Sequence, residues 1–458
     1  MIILDIILIT IFTILCVYTI RHYVFYWNRL FGYQKRSFQD LAGAWLPSVS
    51  ILVPMHNEQM VAENCLQRLA EMDYPKENGH YEVIVIDDYS TDRTPDILDG
   101  FATKHPFIKV LHRDEAGGHG KGEALKIGTI MAKNEIILVF DADYQPSRNV
   151  VKRLVSPFQD PEIGLVMGRV VPINSPQSFL TRIIDIERSG GYQVDQQARY
   201  NLGLIPQYGG TVGGIRRHVL RAIGGWDITK LAEDTDLTYR VYLNGWKVGY
   251  TNIAECFEEA VPNWVERRQQ LRRWAIGHNQ CLFTHFWPTI KSPILTFSQK
   301  LDGVLLLGVY VVPLLMLIGW FVGIYVYLFE SYWWWILFMA LLFTLSYNSI
   351  GNFAIFNEVG IGVILDKRGR VVYLLPLNLF NFFANIWVCS GAFFRSLIIH
   401  RDYGGAPPSH LAPAHAGNGR NGNGNGGNIK WDKTPRNAAS SIYHKSHNGY
   451  GKHTGDKN

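Results

Sequence analysis

The sequence predicts an α/β domain with a mostly parallel sheet, held in the cytoplasm between α-helical transmembrane segments. Three observations lead there. Short β-branched runs alternate with helically spaced segments between residues 49 and 140. Aspartates close two of those runs, Asp87-Asp88 after 83–86 and Asp141-Ala142-Asp143 after 136–140. Long apolar runs occupy both ends of the chain, at 2–26, 301–329, 332–356 and 371–399.

The elements follow in order. Run 2–26 carries only Asp5, Arg21 and His22 as acidic or basic residues and is long enough to cross a hydrocarbon core of ~30 Å. It has no basic leading region and no small-residue cleavage site, so it reads as a retained anchor, residues 1–27. A strand at 49–54 ends in His56-Asn57-Glu58, and 59–71 has helical spacing. A second strand at 81–86 is followed by a helix at 91–101, with Thr94 as N-cap and Pro95 at the first helical position. Strand 108–112, helix 122–132 and strand 136–140 complete the repetition, which implies a parallel sheet covered by helices. Ligands of such sheets bind beyond the carboxyl ends of the strands, where the aspartates sit. This domain is expected to span 47–285 and the membrane region 300–400. Trp333-Trp334-Trp335 fits an aromatic belt. Pro376, Asn378, Asn381 and Asn385 suggest that the last run is broken or re-entrant.

Of 458 residues, 47% are hydrophobic, and the formal charge is +5. Arg29, Lys35 and Arg36 and then Lys367, Arg368 and Arg370 flank the apolar runs, which places 27–300 and 358–370 in the cytoplasm and the protein in the cell membrane. Four simple crossings would put the tail outside, yet Arg401, Arg420, Lys430, Lys433 and Arg436 make it basic and argue for inside. Basic residues that hug membrane flanks, rather than forming a stripe, exclude nucleic acid as a partner. Cys16, Cys65, Cys256, Cys281 and Cys389 show no metal or disulfide spacing and read as free thiols. The tail, 401–458, contains a stretch of almost only Gly and Asn at 417–428, a disordered linker by composition. Trp431-Asp432-Lys433-Thr434-Pro435-Arg436 follows it.

Four motifs bear on chemistry. Asp141-x-Asp143 ends a buried strand, and its hard oxygens suit Mg2+ or Mn2+ bridging substrate phosphates. Asp87-Asp88 also ends a strand, with helix N-capping as the plain alternative. Glu233-Asp234-Thr235-Asp236 precedes a helix, whose dipole alone would favour such acids. Gln270, Arg273 and Trp274 fall on one helical face, where Arg273 suits bidentate pairing with diphosphate oxygens. A helix with Arg267, Arg268, Arg272 and Arg273 also suits a membrane surface. Lys121, in Gly117-Gly118-His119-Gly120-Lys121-Gly122, lacks the spacing and Ser/Thr of a phosphate-binding P-loop, so nucleotide hydrolysis is not indicated.

This order of motifs resembles the family-two glycosyltransferases, the group of cellulose, chitin, hyaluronan and poly-N-acetylglucosamine synthases, over roughly residues 48–290. The resemblance implies a GT-A fold and a nucleotide-sugar donor, with UDP the expected nucleotide. It gives Asp88 to the uracil and ribose, Lys121 to the donor, and Asp141 and Asp143 to the metal and diphosphate. It makes Asp234 the general base beside Glu233, gives Trp226 of Gly224-Gly225-Trp226-Asp227 to the acceptor site, and makes Trp274 a stacking floor for the acceptor sugar. Ala232 stands where the family usually has Thr. The expected activity is inverting transfer, with processive synthesis of a polysaccharide ahead of transfer of one sugar to a lipid acceptor. An inactive scaffold or export partner is the rival from another class. The partners implied are the donor, a polysaccharide or lipid acceptor, membrane lipids and an export partner.

Overall fold

The computed structural model describes residues 2–36, 38–114, 120–329, 335–349 and 356–403. The expectations for Gly117 to His119, for Trp333 and Trp334, and for the tail with Trp431 to Arg436 lie outside the described residues.

Helix α1 (Ile2–Phe31) has 30 residues. At 1.5 Å per residue it is about 45 Å long, more than the hydrocarbon core requires. Its last turns carry Tyr23, Tyr26 and Trp27, rings in mutual contact at 5.4 and 6.5 Å, as expected where a helix leaves the apolar layer.

The sheet begins with β1 (Val49–Met55), α2 (Ala62–Ala70), β2 (Tyr81–Asp87), α3 (Thr94–Lys104), β3 (Ile108–His112), α4 (Lys121–Met131) and β4 (Ile136–Val139). Each of these strands was expected, and their boundaries agree to within one residue. Thr94 differs from expectation. It is the first residue of α3, and its hydroxyl accepts the Glu58 N–H at 2.7 Å instead of capping the helix.

The sheet then continues beyond the strands expected above. Next come β5 (Gln145–Pro146), α5 (Val150–Val155), β6 (Ile163–Pro172), α6 (Phe179–Gly190), α7 (Gln197–Asn201), β7 (Gly213–Arg216), α8 (Arg217–Ala222), α9 (Glu233–Leu243) and β8 (Lys247–Glu258). The eight strands lie in the order β3-β2-β1-β4-β7-β6-β8-β5. β1 to β4 pair in parallel, β7 is antiparallel to both β4 and β6, and β6 runs parallel to β8 with two register shifts. Successive residues of β1, β2 and β4 alternate between two cores, Ile51, Val83 and Leu138 on one face and Leu52, Ile84 and Ile137 on the other.

The chain ends in α10 (Trp264–Lys291), α11 (Phe297–Leu307), α12 (Val312–Phe329), α13 (Trp335–Ser349), α14 (Phe356–Leu365) and α15 (Asn378–Tyr403). Among the described residues three helices are long and apolar enough to cross a membrane: α1, α12 and the 378–399 portion of α15. Of run 332–356, the described residues form α13 and the first residue of α14. Run 301–329 is split between α11 and α12, and Asn378, Asn381 and Asn385 lie buried on one side of α15.

Buried charge ties this helical part to the sheet. Arg21 of α1 meets Asp302 of α11 at 2.7 Å, Asp302 meets Arg199 of α7 at 2.7 Å, and Arg199 meets Asp195 at 2.5 Å. His22 and Glu358 pair at 2.9 Å beside them. His22, Asp195 and Glu358 place ligand-type atoms within 4.8 Å of one another.

Candidate active site

The carboxyl ends of β2 and β4, the loop entering β7 and the start of α9 converge on one recess. At its rim, Asp88 accepts from Arg113 Nη1 at 2.5 Å and from the Gly120 N–H at 2.8 Å. Its carboxylate thus ties the end of β2 to the start of α4 and does not cap α3. Asp87 turns away, bonded to His112 Nδ1 at 2.7 Å and the Ser90 N–H at 3.2 Å.

Lys121, first residue of α4, stands in the middle. Its Nζ lies 2.6 Å from Asp141 Oδ1 and 3.9 Å from Glu233 Oε1, and it donates to the Gly210 carbonyl at 2.9 Å. Burial opposes the ammonium, but Asp141, Glu233 and Asp234 outweigh it and hold the group above its ordinary range. Asp141 is fixed from behind, its N–H donating to Thr211 Oγ1 at 3.1 Å. Asp143 is half-buried in the same turn.

Ala232 precedes α9 and offers no side-chain cap, so the first turn relies on its acids. These divide by role. Asp236 is buried and bound to Arg240 at 2.6 Å and His285 at 2.8 Å, a packing function. Glu233 and Asp234 face the recess. Asp234 Oδ1 accepts the Thr235 N–H at 2.6 Å. Burial, then the Glu233 charge, pushes the Asp234 carboxyl up to about 7, with Thr235 and Lys121 opposing.

On α10, Asn263 caps the helix by accepting from the N–H groups of Val265 at 3.1 Å and Glu266 at 3.0 Å. Arg273 projects to the surface within electrostatic reach of Glu233, Asp141 and Asp234. Gln270 and Trp274 belong to a neighbouring network. Gln270 accepts from Arg267 at 3.0 Å, and the Arg188 and Arg267 guanidinium carbons lie 5.5 and 5.6 Å from the Trp274 ring centre. Arg267 also holds the buried Glu187 at 2.8 Å, and Asn381 of α15 donates to that same carboxylate.

The fold thus gathers Lys121, Asp141, Glu233, Asp234 and Arg273, with Asp143 in the adjoining turn. It does not bring Trp226 to the acceptor side. That residue is 6% exposed in the core, with its indole N–H on Thr129 Oγ1 at 2.9 Å, so it has no face for a sugar. The sequence reading also missed the loop 207–212. Gly210 has φ +78, and a Cβ there would lie 3.1 Å from Asp234 Oδ2. Val212, with φ 48, holds a conformation that costs a β-branched residue about 1–3 kcal/mol. The Gly209-Gly210 pair was the available signal, a turn marker between two strands.

Three carboxylates (Asp141, Glu233 and Asp234) lie around Lys121 and within electrostatic reach of Arg273, with Asp143 in the turn beside Asp141. That surplus suits a divalent ion, with donor phosphates supplying the ligands that one or two carboxylates leave open.

Residues 50–224 match the family described as Glycosyl transferase family 2. The matched segment holds Asp88, Lys121, Asp141 and Asp143 and ends before Asp234. A probable glycosyltransferase, YdaM, of Bacillus subtilis (strain 168) is 37% identical over 235 residues, 51% of this chain and 56% of that protein. A beta-monoglucosyldiacylglycerol synthase of Nostoc sp. (strain PCC 7120 / SAG 25.82 / UTEX 2576) is 34% identical over 281 residues, 61% of this chain and 59% of that protein. The chain therefore spans a little over half the length of the curated relatives it matches. In structure, a mannosyltransferase from Pyrobaculum calidifontis, solved with GDP-Man and Mn2+, aligns with a TM-score of 0.55 at 20% identity, covering 80% of this chain and 99% of that one. Residues 50–224 are thus similar to glycosyl transferase family 2, and the fold that carries them is GT-A.

Proposed function

We propose that the protein is a membrane-bound inverting glycosyltransferase that moves one sugar from a nucleotide diphosphate to the hydroxyl of a lipid acceptor. The observation that carries this reading is the position of Lys121 Nζ, 2.6 Å from Asp141 and 3.9 Å from Glu233, with Asp234 beside them. A fixed cation among carboxylates at strand ends suits a diphosphate leaving group, and a half-buried aspartate next to it suits an acceptor proton.

In a single displacement, Asp234 takes the proton of the acceptor hydroxyl as that oxygen attacks the anomeric carbon, and the bond to the diphosphate breaks. Lys121 and Arg273 offset the charge that develops on the leaving oxygens. Asp141 and Asp143 would hold a divalent ion, which supplies further charge neutralisation when bound. Asp88 would orient the nucleoside from the rim.

Two observations support a lipid acceptor over a growing polymer. Relatives from Nostoc and from Synechocystis sp. (strain PCC 6803 / Kazusa) bear the name beta-monoglucosyldiacylglycerol synthase, at 34% and 33% identity. Both aromatic platforms expected to hold a glycan are also engaged inside the protein: Trp226 is core, and Trp274 carries the Arg188 and Arg267 guanidinium groups. The apolar helices beside α10 give a lipid direct access from the bilayer, and the basic residues flanking them support a cytoplasmic catalytic face.

The test is product analysis. Purified protein in diacylglycerol-containing bilayers would be given UDP- and GDP-sugars with Mg2+ or Mn2+. The expected product is a lipid bearing one sugar, with nucleotide released in equal amount and activity lost in excess EDTA. Long polymer from every active donor would return the processive reading to first place.

A further inference from the structure

We propose that His278 and Gln207 set the direction of the Thr235 hydroxyl, so that it holds one oxygen of Asp234 and leaves the other to receive the acceptor proton. This deepens the proposed reaction by naming the residues that position its base. Thr235 is fully buried and His278 is 7% exposed. Gln207 Nε2 lies 2.8 Å from Thr235 Oγ1 and 2.8 Å from His278 Nε2, and Thr235 Oγ1 lies 3.1 Å from the same ring nitrogen.

The proton count decides the directions. The Gln207 amide nitrogen carries two protons and no lone pair to share, so both neighbours must accept from it. His278 Nε2 is then the bare nitrogen of a neutral ring. Burial favours that form, pulling the imidazole down to about 4. With its lone pair receiving from Gln207, Thr235 Oγ1 directs its own proton to Asp234 Oδ1, 3.4 Å away. That oxygen already accepts the Thr235 N–H at 2.6 Å. Oδ1 is thereby held twice. Oδ2 points toward Gly210, where the missing Cβ leaves the approach open.

The relay also links the base to the membrane side. The His278 ring stands edge-on to Tyr310 at 4.9 Å, in the segment between α11 and α12. His278 Nδ1 is buried with no hydrogen-bond partner among the described residues. A ring retained there at that cost is consistent with a demand on its other nitrogen.

The test is a double-mutant cycle read on nucleotide release to water, with no lipid present and with whichever of UDP-glucose and GDP-mannose the wild type turns over. It therefore stands even if the lipid reading fails, since a water molecule uses the same base. Thr235→Val should lower kcat roughly tenfold to a hundredfold, part of what a whole general base supplies, with donor KM little changed. Thr235→Ser should restore the rate. His278→Phe should lower kcat in the same direction, and His278→Gln, which keeps an acceptor near Nε2, should recover most of the loss. The double variant Thr235→Val/His278→Phe should be no slower than Thr235→Val alone, because both act through one hydroxyl. Losses that multiply, a change confined to donor KM, or a wild-type rate in His278→Phe would overturn the proposal. If His278→Phe does not fold, the contrast of Thr235→Val with Thr235→Ser decides the point: equal rates refute it.

Discussion

Replacing Asp234 with Asn tests the proposed reaction where it is most exposed. Asparagine keeps the shape and an oxygen to accept the Thr235 N–H, the 2.6 Å contact that places the side chain. Lys121 retains Asp141 at 2.6 Å and Glu233 at 3.9 Å, so the donor side is left standing. What disappears is the capacity to take a proton. General-base catalysis is worth about two to four decades, so kcat should fall by ~2.7–5.4 kcal/mol of barrier while donor affinity is preserved. The wild type carries the companion signature. With the carboxyl up at about 7, it is roughly half ionised at pH 7 and about a tenth ionised at pH 6. Only the ionised form accepts a proton, so kcat/KM should drop about fivefold over that unit and keep falling toward acid. Nucleotide release measured from pH 5 to 8, with donor affinity from isothermal titration, reads both effects. A flat profile across this range, or an Asp234→Asn variant whose loss lies in donor affinity, would refute the assignment.

Other expectations follow from the same geometry. Asp143→Asn should abolish transfer and weaken metal-dependent donor binding; wild-type turnover, or full wild-type activity in excess EDTA, would remove the metal assignment. Trp226→Ala should cost about 3–5 kcal/mol of stability, as a truncated core aromatic does, and thermal unfolding would show it. An undiminished melting temperature with a raised acceptor KM would restore Trp226 to the sugar. Arg267→Met leaves Glu187 buried without its cation, a change that typically costs about 3–5 kcal/mol. Burial already lifts Glu187 to about 7, above its unfolded value, and losing Arg267 lifts it further. The destabilisation should therefore grow as pH rises through neutrality and shrink toward acid, where the carboxyl takes up a proton; a melting-temperature loss that is larger at low pH would contradict this.

Local pattern was enough for much of this protein. Strands β1, β2 and β4 were legible because each is a short, almost wholly buried β-branched run bounded by polar turns, and a parallel strand covered on both faces needs that composition; β3, at the sheet edge, is only partly buried. Asp88, Asp141 and Asp234 were legible because each begins or ends an element. α1 was visible because it is a long, almost unbroken apolar run, which is what a bilayer crossing demands.

Tertiary structure decided the rest. β7 begins Gly213-Gly214 and reads as loop, yet it is the antiparallel joint between β4 and β6, a pairing made by residues far apart in the chain. Trp226 and Trp274 look alike as aromatic platforms, and only three-dimensional packing shows one in the core and the other against two arginines. Lys121 and Asp141 are twenty residues apart, and Gly210 and Glu233 lie further along still, so no spacing rule reveals their meeting. A site assembled by a parallel sheet collects the ends of separate elements. The sequence by itself determined which ends carry carboxylates; the order of strands across the sheet decided which of them touch.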